Sequence, residues 1–410
     1  MDESTFESIL AGLDDLTEDQ RGALVAKALE QDGLFEDALA RYKGRAWKYR
    51  HKDRMLHHQP YRLGGESAVV AENLPADDHA LVARVVQAYR LASQTPLGPS
   101  DNIWLSQFSD TKRDDVALLE SGDIEAARDM LRNPSSSMLF YGFDLIQEQT
   151  VAQNTHEAWI KWLHLLTYDT LLQTTRATGA RRVEYPEAAI DYDDAPGMEE
   201  LLEQLDERLG FRIDFPNIFA GETGIATSRG VVSYRAAQAL YHVWRMKQVL
   251  AGAKATRILE IGAGLGRTAY YALKLGVEQY TIIDIPLTGV AQAYYLGRVL
   301  GERAVSLWGE QSYAPVRVLP PLAYQLLNEQ FDLVVNIDSL PEMSEDTARG
   351  YIAGAARLTR RFLSINREFT SFTVESLYRA MPGVKAMRFP CWSRRGYVEE
   401  LLEFPSVPRA

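Results

Sequence analysis

Apolar positions along this chain fall into two regimes. Up to about residue 210 they recur at three- and four-residue spacing, the mark of helices with one buried stripe. Phe6, Ile9, Leu10 and Leu13 form one stripe and Leu24, Val25, Ala28 and Leu29 another, which predicts a helical hairpin over residues 1–45. HALVARVVQAYRLA, EAARDMLR and AWIKWLHLLTYDTLLQTT continue the helical pattern, whereas Glu184 to Glu203 is rich in Asp, Glu, Pro and Gly and reads as an exposed excursion or a loop with one helix. From about residue 226 the texture changes. SYRAAQALYHVWRMKQVL predicts a long helix. Continuous Ile/Leu/Val runs then alternate with helical ones: TRILEIG, YTIIDI, VRVLP, FDLVVNI and RRFLSIN as strands, GRTAYYALKLG, TGVAQAYYLGRVLG and TARGYIAGAARL as helices. Thr288 is expected to cap the second of these helices, and AMRFP and LLEF close the pattern. Such alternation predicts an α/β chain whose parallel sheet is covered on both faces.

Charge divides the chain at the same place. The net charge is −12, yet residues 226–410 hold 22 basic and 16 acidic side chains, so +6 there is set against −18 before it. Together with a length of 410 residues this predicts several units: the acidic hairpin 1–45, a helical cover over 46–225, and an α/β domain over 226–410. The acidic total argues against nucleic acid as partner. The basic run Arg41 to Arg54, with Trp47 and Tyr49 interleaved, suits phosphate contacts, but beside an acidic hairpin it reads better as neutralising it. The start MDESTFESIL has no long apolar run, so neither a signal peptide nor membrane insertion is expected. One cysteine, Cys391, fits a reducing, cytoplasmic setting.

The sharpest chemical signal is Leu259-Glu260-Ile261-Gly262-Ala263-Gly264-Leu265-Gly266, a buried strand running into a glycine loop that opens a helix. A dinucleotide fingerprint would need its third glycine at Arg267, and Glu260 would repel a pyrophosphate. An acid there suits a cationic ligand such as the amine of S-adenosylmethionine. Asp284 ends the next strand, where a carboxylate can accept hydrogen bonds from both ribose hydroxyls. Ala263, Ile285 and Asn336 complete the expected donor site, and Arg235 on the preceding helix is placed to reach the donor's carboxylate.

With these residues in place the chain resembles the class I S-adenosylmethionine-dependent methyltransferases, and among them the bacterial sugar O-methyltransferase family. FDLVVNIDSLPEM (Phe331 to Met343), SINRE (Ser364 to Glu368) and GYVEELLEF (Gly396 to Phe404) carry that closer resemblance. So do SDNIWLSQF (Ser100 to Phe108), NPSSSMLFYGFD (Asn133 to Asp144) and GETGIATSRGVVSYRAAQALY (Gly221 to Tyr241), so that it spans residues 95 to 405. The resemblance implies a Rossmann-like class I methyltransferase sheet behind a large, mainly helical N-terminal domain. It also implies S-adenosylmethionine as methyl donor and a sugar hydroxyl as acceptor.

Methyl transfer to a hydroxyl needs an in-line approach and a base for the proton. The strand FDLVVNI delivers Asp338, Ser339 and Glu342 to the edge that carries the glycine loop, which makes Glu342 and Asp338 the leading bases; a helix cap before SEDTARGYI is their plainer role. The next strand delivers Asn366, Arg367 and Glu368, groups suited to orienting a sugar ring. His242 is the alternative base: Arg235, Gln238, His242 and Arg245 form one helix stripe, which reads more simply as a solvated face. His79, His156 and His164 would have to enter from the helical region. A divalent ion such as Mg²⁺ is compatible with Asp338, Glu342 and Glu368, although no ligand spacing assigns it. Trp104, Phe108, Tyr141 and Phe143 suit sugar-stacking walls or core equally. A homo-oligomer is compatible with all of this. The rival readings are methylation of a non-sugar small molecule on oxygen or nitrogen, a cofactor-binding scaffold, and an NAD-dependent oxidoreductase.

Overall fold

The computed structural model describes residues 64–95, 111–134, 137–142, 157–183, 196–251, 256–311, 313–368 and 371–405, all within one unit that begins at His57. The expected hairpin 1–45, the run Arg41 to Arg54, and His156, Trp104, Phe108 and Phe143 lie outside the described residues. The first part holds β1 (Ser67–Val69), α1 (His79–Ala92), α2 (Arg113–Ser121), α3 (Ile124–Arg132), α4 (Glu157–Ala177) and α5 (Met198–Leu209). There follow β2 (Thr223–Thr227), β3 (Gly230–Val232), α6 (Tyr234–Val249), β4 (Arg257–Ile261), α7 (Arg267–Lys274), β5 (Gln279–Ile283) and α8 (Pro286–Leu300). The chain continues through β6 (Val305–Leu307), β7 (Val316–Leu319), α9 (Pro321–Leu326), β8 (Leu333–Ile337), α10 (Glu345–Leu358) and β9 (Arg361–Arg367). It closes with α11 (Val374–Tyr378), β10 (Lys385–Pro390) and β11 (Tyr397–Glu403).

Eight strands form one sheet in the order β10-β11-β9-β8-β4-β5-β7-β6. Strands β4 to β9 are parallel to one another, and β11 runs antiparallel to both β9 and β10. From β4 the chain builds outward through β5 and β7, then returns to add β8 and β9 on the other side. The strand order therefore reverses between β4 and β8, and in open α/β sheets that reversal opens a crevice at the carboxyl ends. This is the Rossmann-like sheet the resemblance implies.

Strand side chains alternate between the two faces. Ile258, Tyr280, Ile282, Leu333 and Val335 enter one core with Tyr241, Tyr271 and Tyr294 from the helices above it. Leu259, Ile261, Ile283, Val334 and Phe362 enter the other, with Ala348, Ile352 and Leu358 of α10. Both faces being covered explains why these strands read as unbroken apolar runs. The first core also takes in Leu81, Val82 and Val85 of α1, and Leu201 and Leu205 of α5. The boundary expected at 225/226 falls inside β2, which pairs with β1 and β3 in a small antiparallel sheet. Thr288 is not the cap of α8: Pro286 stands in its first turn after Ile285, and Thr288 is buried inside the helix.

Asp78 ties α3 to α8, a helix that packs on the sheet. Its wholly buried carboxylate accepts from Arg128 Nε at 2.8 Å, Arg132 Nη2 at 2.7 Å and Tyr294 Oη at 2.7 Å. Burial works to raise its pKa, but the bonds from Arg132, Tyr294 and Arg128 outweigh it and hold the carboxyl well below the usual range. Removing one partner from a buried network costs about 3–5 kcal/mol, so Asp78→Ala should lower unfolding stability by about 3 kcal/mol in urea titrations at pH 7. A depressed folded pKa stabilises above the unfolded value and is lost as pH falls, so the gap between wild type and variant should shrink towards pH 2–3.

Candidate functional site

The crevice between the ends of β4 and β8 is a cleft of about 1180 Å³, counting the space open at its mouth. Glu260, one residue before the end of β4, is 1% exposed and lines it. Tyr280 Oη donates to Glu260 Oε2 at 2.8 Å, yet burial dominates and pushes the carboxyl up to about 8. Gly262, Gly264 and Gly266 then turn the chain with φ of 73°, 56° and 89°, a region that glycine enters without strain. A Cβ on Gly262 would stand 2.2 Å from Ser339 Oγ, so the loop closes on β8 only without a side chain there. Gly262→Ala should therefore weaken donor binding by at least about tenfold in calorimetry, since an L-residue held left-handed costs about 1–2 kcal/mol before the clash is counted. Gly266 plays another part, lying against Leu296 at the start of α7, outside the cleft lining.

Asp284 follows β5. Its Oδ2 accepts from Ala263 N at 3.0 Å and Gln292 Nε2 at 2.6 Å, and its Oδ1 from Ile285 N at 2.8 Å. Burial still pushes it up to about 6. Gln292, which no sequence motif marks, also donates to Gly264 O at 2.9 Å and so fixes the acid against the glycine loop. Ala263, Gly264, Asp284, Ile285 and Arg235 all line the cleft with Glu260 and Gly262. Arg267 lines it too, and stands 2.8 Å from buried Glu222 where a dinucleotide fingerprint requires glycine.

The end of β8 separates two kinds of residue. Asn336 and Asn366 are buried ties: Asn336 Nδ2 donates to Ile261 O at 2.8 Å, and its Oδ1 accepts from Asn366 Nδ2 at 2.9 Å. Neither lines the cleft, so the expected contacts to donor and acceptor fall instead to their neighbours. Ser339, Asp338 and Glu342 do line it. Asp338 alone among the described non-glycine residues has a left-handed backbone, φ 59°. Its Oδ2 accepts from Arg394 Nη1 at 2.7 Å and its Oδ1 from Tyr397 Oη at 2.8 Å, with Arg367 at 3.6 Å and Arg235 at 3.9 Å. Burial would raise its pKa, but Arg394, Arg235 and Arg367 overcome that and keep it ionised below the usual range. Arg367 Nη2 donates to Glu342 Oε1 at 3.0 Å. Neither acid caps α10, because Ser344 does, accepting from Thr347 N. Glu368 is turned away onto Arg388 of β10, with two contacts of 2.8 Å, and does not line the cleft.

The polar stripe of α6 is not a solvated face. Arg235, Gln238 and His242 line the cleft, and Arg245 Nε donates to buried Glu399 at 2.6 Å. His242 is pushed down to about 3, chiefly by burial and then by Arg394 and Arg235, so it stands neutral, 3.4 Å from Thr268 Oγ1. His79 pairs with Glu125 on the surface, and His164 lies between Ser67 Oγ and Thr223 Oγ1 at 2.7 and 3.0 Å; neither lines the cleft. Tyr141 is half-buried beside Gly142, a lining residue. With Glu368 turned aside, the trio considered for Mg²⁺ is not assembled, and among the described residues no group of three or more His, Cys, Asp or Glu is placed to hold a metal.

No protein-family model matches this chain, and neither does any curated protein sequence. Solved structures similar to it include a glycopeptide N-methyltransferase complexed with sinefungin, 16% identical, covering 40% of this chain and 86% of that one at a TM-score of 0.32. An N-methyltransferase of Bradyrhizobium japonicum complexed with S-adenosyl-L-homocysteine is 14% identical, covering 42% and 86% at a TM-score of 0.31. A ribosomal protein L11 methylase of Lactobacillus delbrueckii subsp. bulgaricus is 13% identical, covering 42% and 80% at 0.31. Likeness at this level bears on neither activity nor acceptor. No helix among the described residues is long and apolar enough to cross a membrane.

Proposed function

We propose that this chain is an S-adenosylmethionine-dependent O-methyltransferase acting on a sugar hydroxyl. The observation that carries the donor is the convergence of Glu260, Gly262 and Asp284 on one cleft at the strand-order reversal, where Gly262 leaves no room for a side chain and buried Glu260 and half-buried Asp284 flank the loop. These residues fit the donor's chemistry. Glu260 faces a cation, Asp284 retains lone pairs for ribose hydroxyls beyond its three bonds, and Arg235 offers a guanidinium to the carboxylate. When bound, the donor supplies an electrophilic methyl group on a sulfonium, which a hydroxyl oxygen displaces in line with inversion.

This chain's own part is positioning plus a base. Glu342 takes the acceptor proton, Ser339 orients the ring, Arg367, outside the cleft lining, positions Glu342, and Asp338 holds the three arginines around it in place. The sugar class rests on the family resemblance; a helical cover up to residue 225 rests on helical spacing and that resemblance, a cytoplasmic setting on Cys391 as the one cysteine, and an acceptor other than nucleic acid on the net charge of −12.

The test is incubation with methyl-labelled donor and a panel of sugars, sugar phosphates, nucleotide sugars, glycosides, phenols and amines. Label on a sugar oxygen is expected. Label confined to phenols or amines would replace the acceptor class, and donor binding without transfer to any of them would leave a cofactor-binding scaffold.

A further inference from the structure

Among the described residues, Asp338 is faced by three guanidiniums, Arg394 at 2.7 Å with Arg367 and Arg235 at longer range; Arg367 also pairs with Glu342, and the neighbouring His242 is neutral. Arg394 is also held still. Its guanidinium carbon lies 3.6 Å from the centre of the Tyr397 ring, and Asp338 engages only one of its five N–H donors, through Nη1. Among the described residues its Nε is buried with no partner, as is that of Arg235. A fixed, partly used guanidinium fork in a cavity is matched by a planar or tetrahedral oxyanion.

Resting on the sugar-methylation reading above, we propose that the acceptor carries a carboxylate or phosphate close to the methylated hydroxyl, and that Arg394, which lines the cleft, receives it. The location favours acceptor over donor. Arg394 sits just before β11, on the Asp338 side of the cleft, whereas the ribose acid Asp284 stands beyond the glycine loop after β5. The surplus of +6 over residues 226–410 has the sign an anionic acceptor would select.

The test uses the full chain saturated with S-adenosylhomocysteine, so that the donor's carboxylate position is already filled. Glucose, glucose 6-phosphate, glucuronate, inorganic phosphate and acetate are titrated by calorimetry, and the three sugars are then offered with labelled donor. Glucuronate, glucose 6-phosphate or both should bind about tenfold or more tighter than glucose, as charge-assisted bonds exceed neutral ones. Which of the two wins distinguishes carboxylate from phosphate. Arg394→Gln should erase the preference and Arg394→Lys retain part of it, with thermal unfolding reporting that both variants fold. Equal binding of glucose and both anionic sugars, or no binding by any of the four anions, overturns the inference. An Arg394-dependent anion preference with no label on any sugar upholds the anion site and overturns the sugar reading instead.

Discussion

Glu260→Gln should weaken binding of S-adenosylmethionine by about 10²-fold, the lower end of what losing one partner of a buried charge pair costs. The substitution is isosteric and keeps an oxygen to accept from Tyr280, so the loop geometry survives. What it removes is the charge. Burial pushes the wild-type carboxyl up to about 8, so at neutral pH an incoming cation must first displace its proton. Donor affinity should therefore rise from pH 6 towards 8 and release protons, detectable as a dependence of the calorimetric heat on the buffer. It should fall again at higher pH, where the donor's own α-amino group, of pKa about 8, loses its charge. The variant should keep only the alkaline limb. It should also resist thermal unfolding better than wild type at pH 7. A carboxyl whose folded pKa is raised stabilises below the unfolded value and loses that contribution as pH climbs through the folded one, and the amide has nothing to lose. A variant that binds the donor as tightly as wild type, with the same pH profile, would remove Glu260 from the donor site.

The residues of that prediction were legible in the sequence for a physical reason. A parallel strand between two helical layers must be apolar throughout, so a lone acid at its carboxyl end, as at Glu260 or beyond β5 at Asp284, stands out. Glycines that cannot carry a side chain are equally conspicuous, and Gly262 is one such, closing on Ser339. The acceptor side was less legible. Arg394 and Tyr397 reach Asp338 across a hairpin 56 and 59 residues further along the chain, and no periodicity reports such a contact. Asn366 and Glu368 have the right residue types at the right strand end, but strand alternation and the pull of Asn336 and Arg388 direct them elsewhere. The α6 stripe misled for the opposite reason. Helical polarity normally means solvent, and here it faces a cleft and a buried glutamate. Short strands such as β1, β3 and β6, of three residues each, are below what an apolar pattern can signal.

Glu342→Gln should lower turnover by at least about 10²-fold while donor affinity holds, the low end of what losing a general base costs. Beyond the two acids assigned to the donor, three groups in the cleft are candidates for the acceptor's proton, and their surroundings rank them. Asp338 is closed in by Arg394, Arg235 and Arg367, and its charge is so well compensated that a proton gains little by moving to it. His242 is neutral and has a lone pair, but burial and two nearby guanidiniums make its protonated form costly. Glu342 accepts from Arg367 Nη2 through Oε1, on the turn that follows β8, and its side chain, 16% exposed, lines the cleft. Protonating it leaves the bonds from Arg394 and Tyr397 to Asp338 in place. Asp338→Asn should behave differently, because it releases Arg394 and Tyr397 from their shared anchor: its main effect should fall on KM for the acceptor and on thermal stability. Single-turnover kinetics with labelled donor separate the two, chemistry slowed at saturating acceptor for Glu342→Gln and weakened acceptor binding for Asp338→Asn. If Glu342→Gln turns over at the wild-type rate, the base is His242, and His242→Gln should then show the loss in its place.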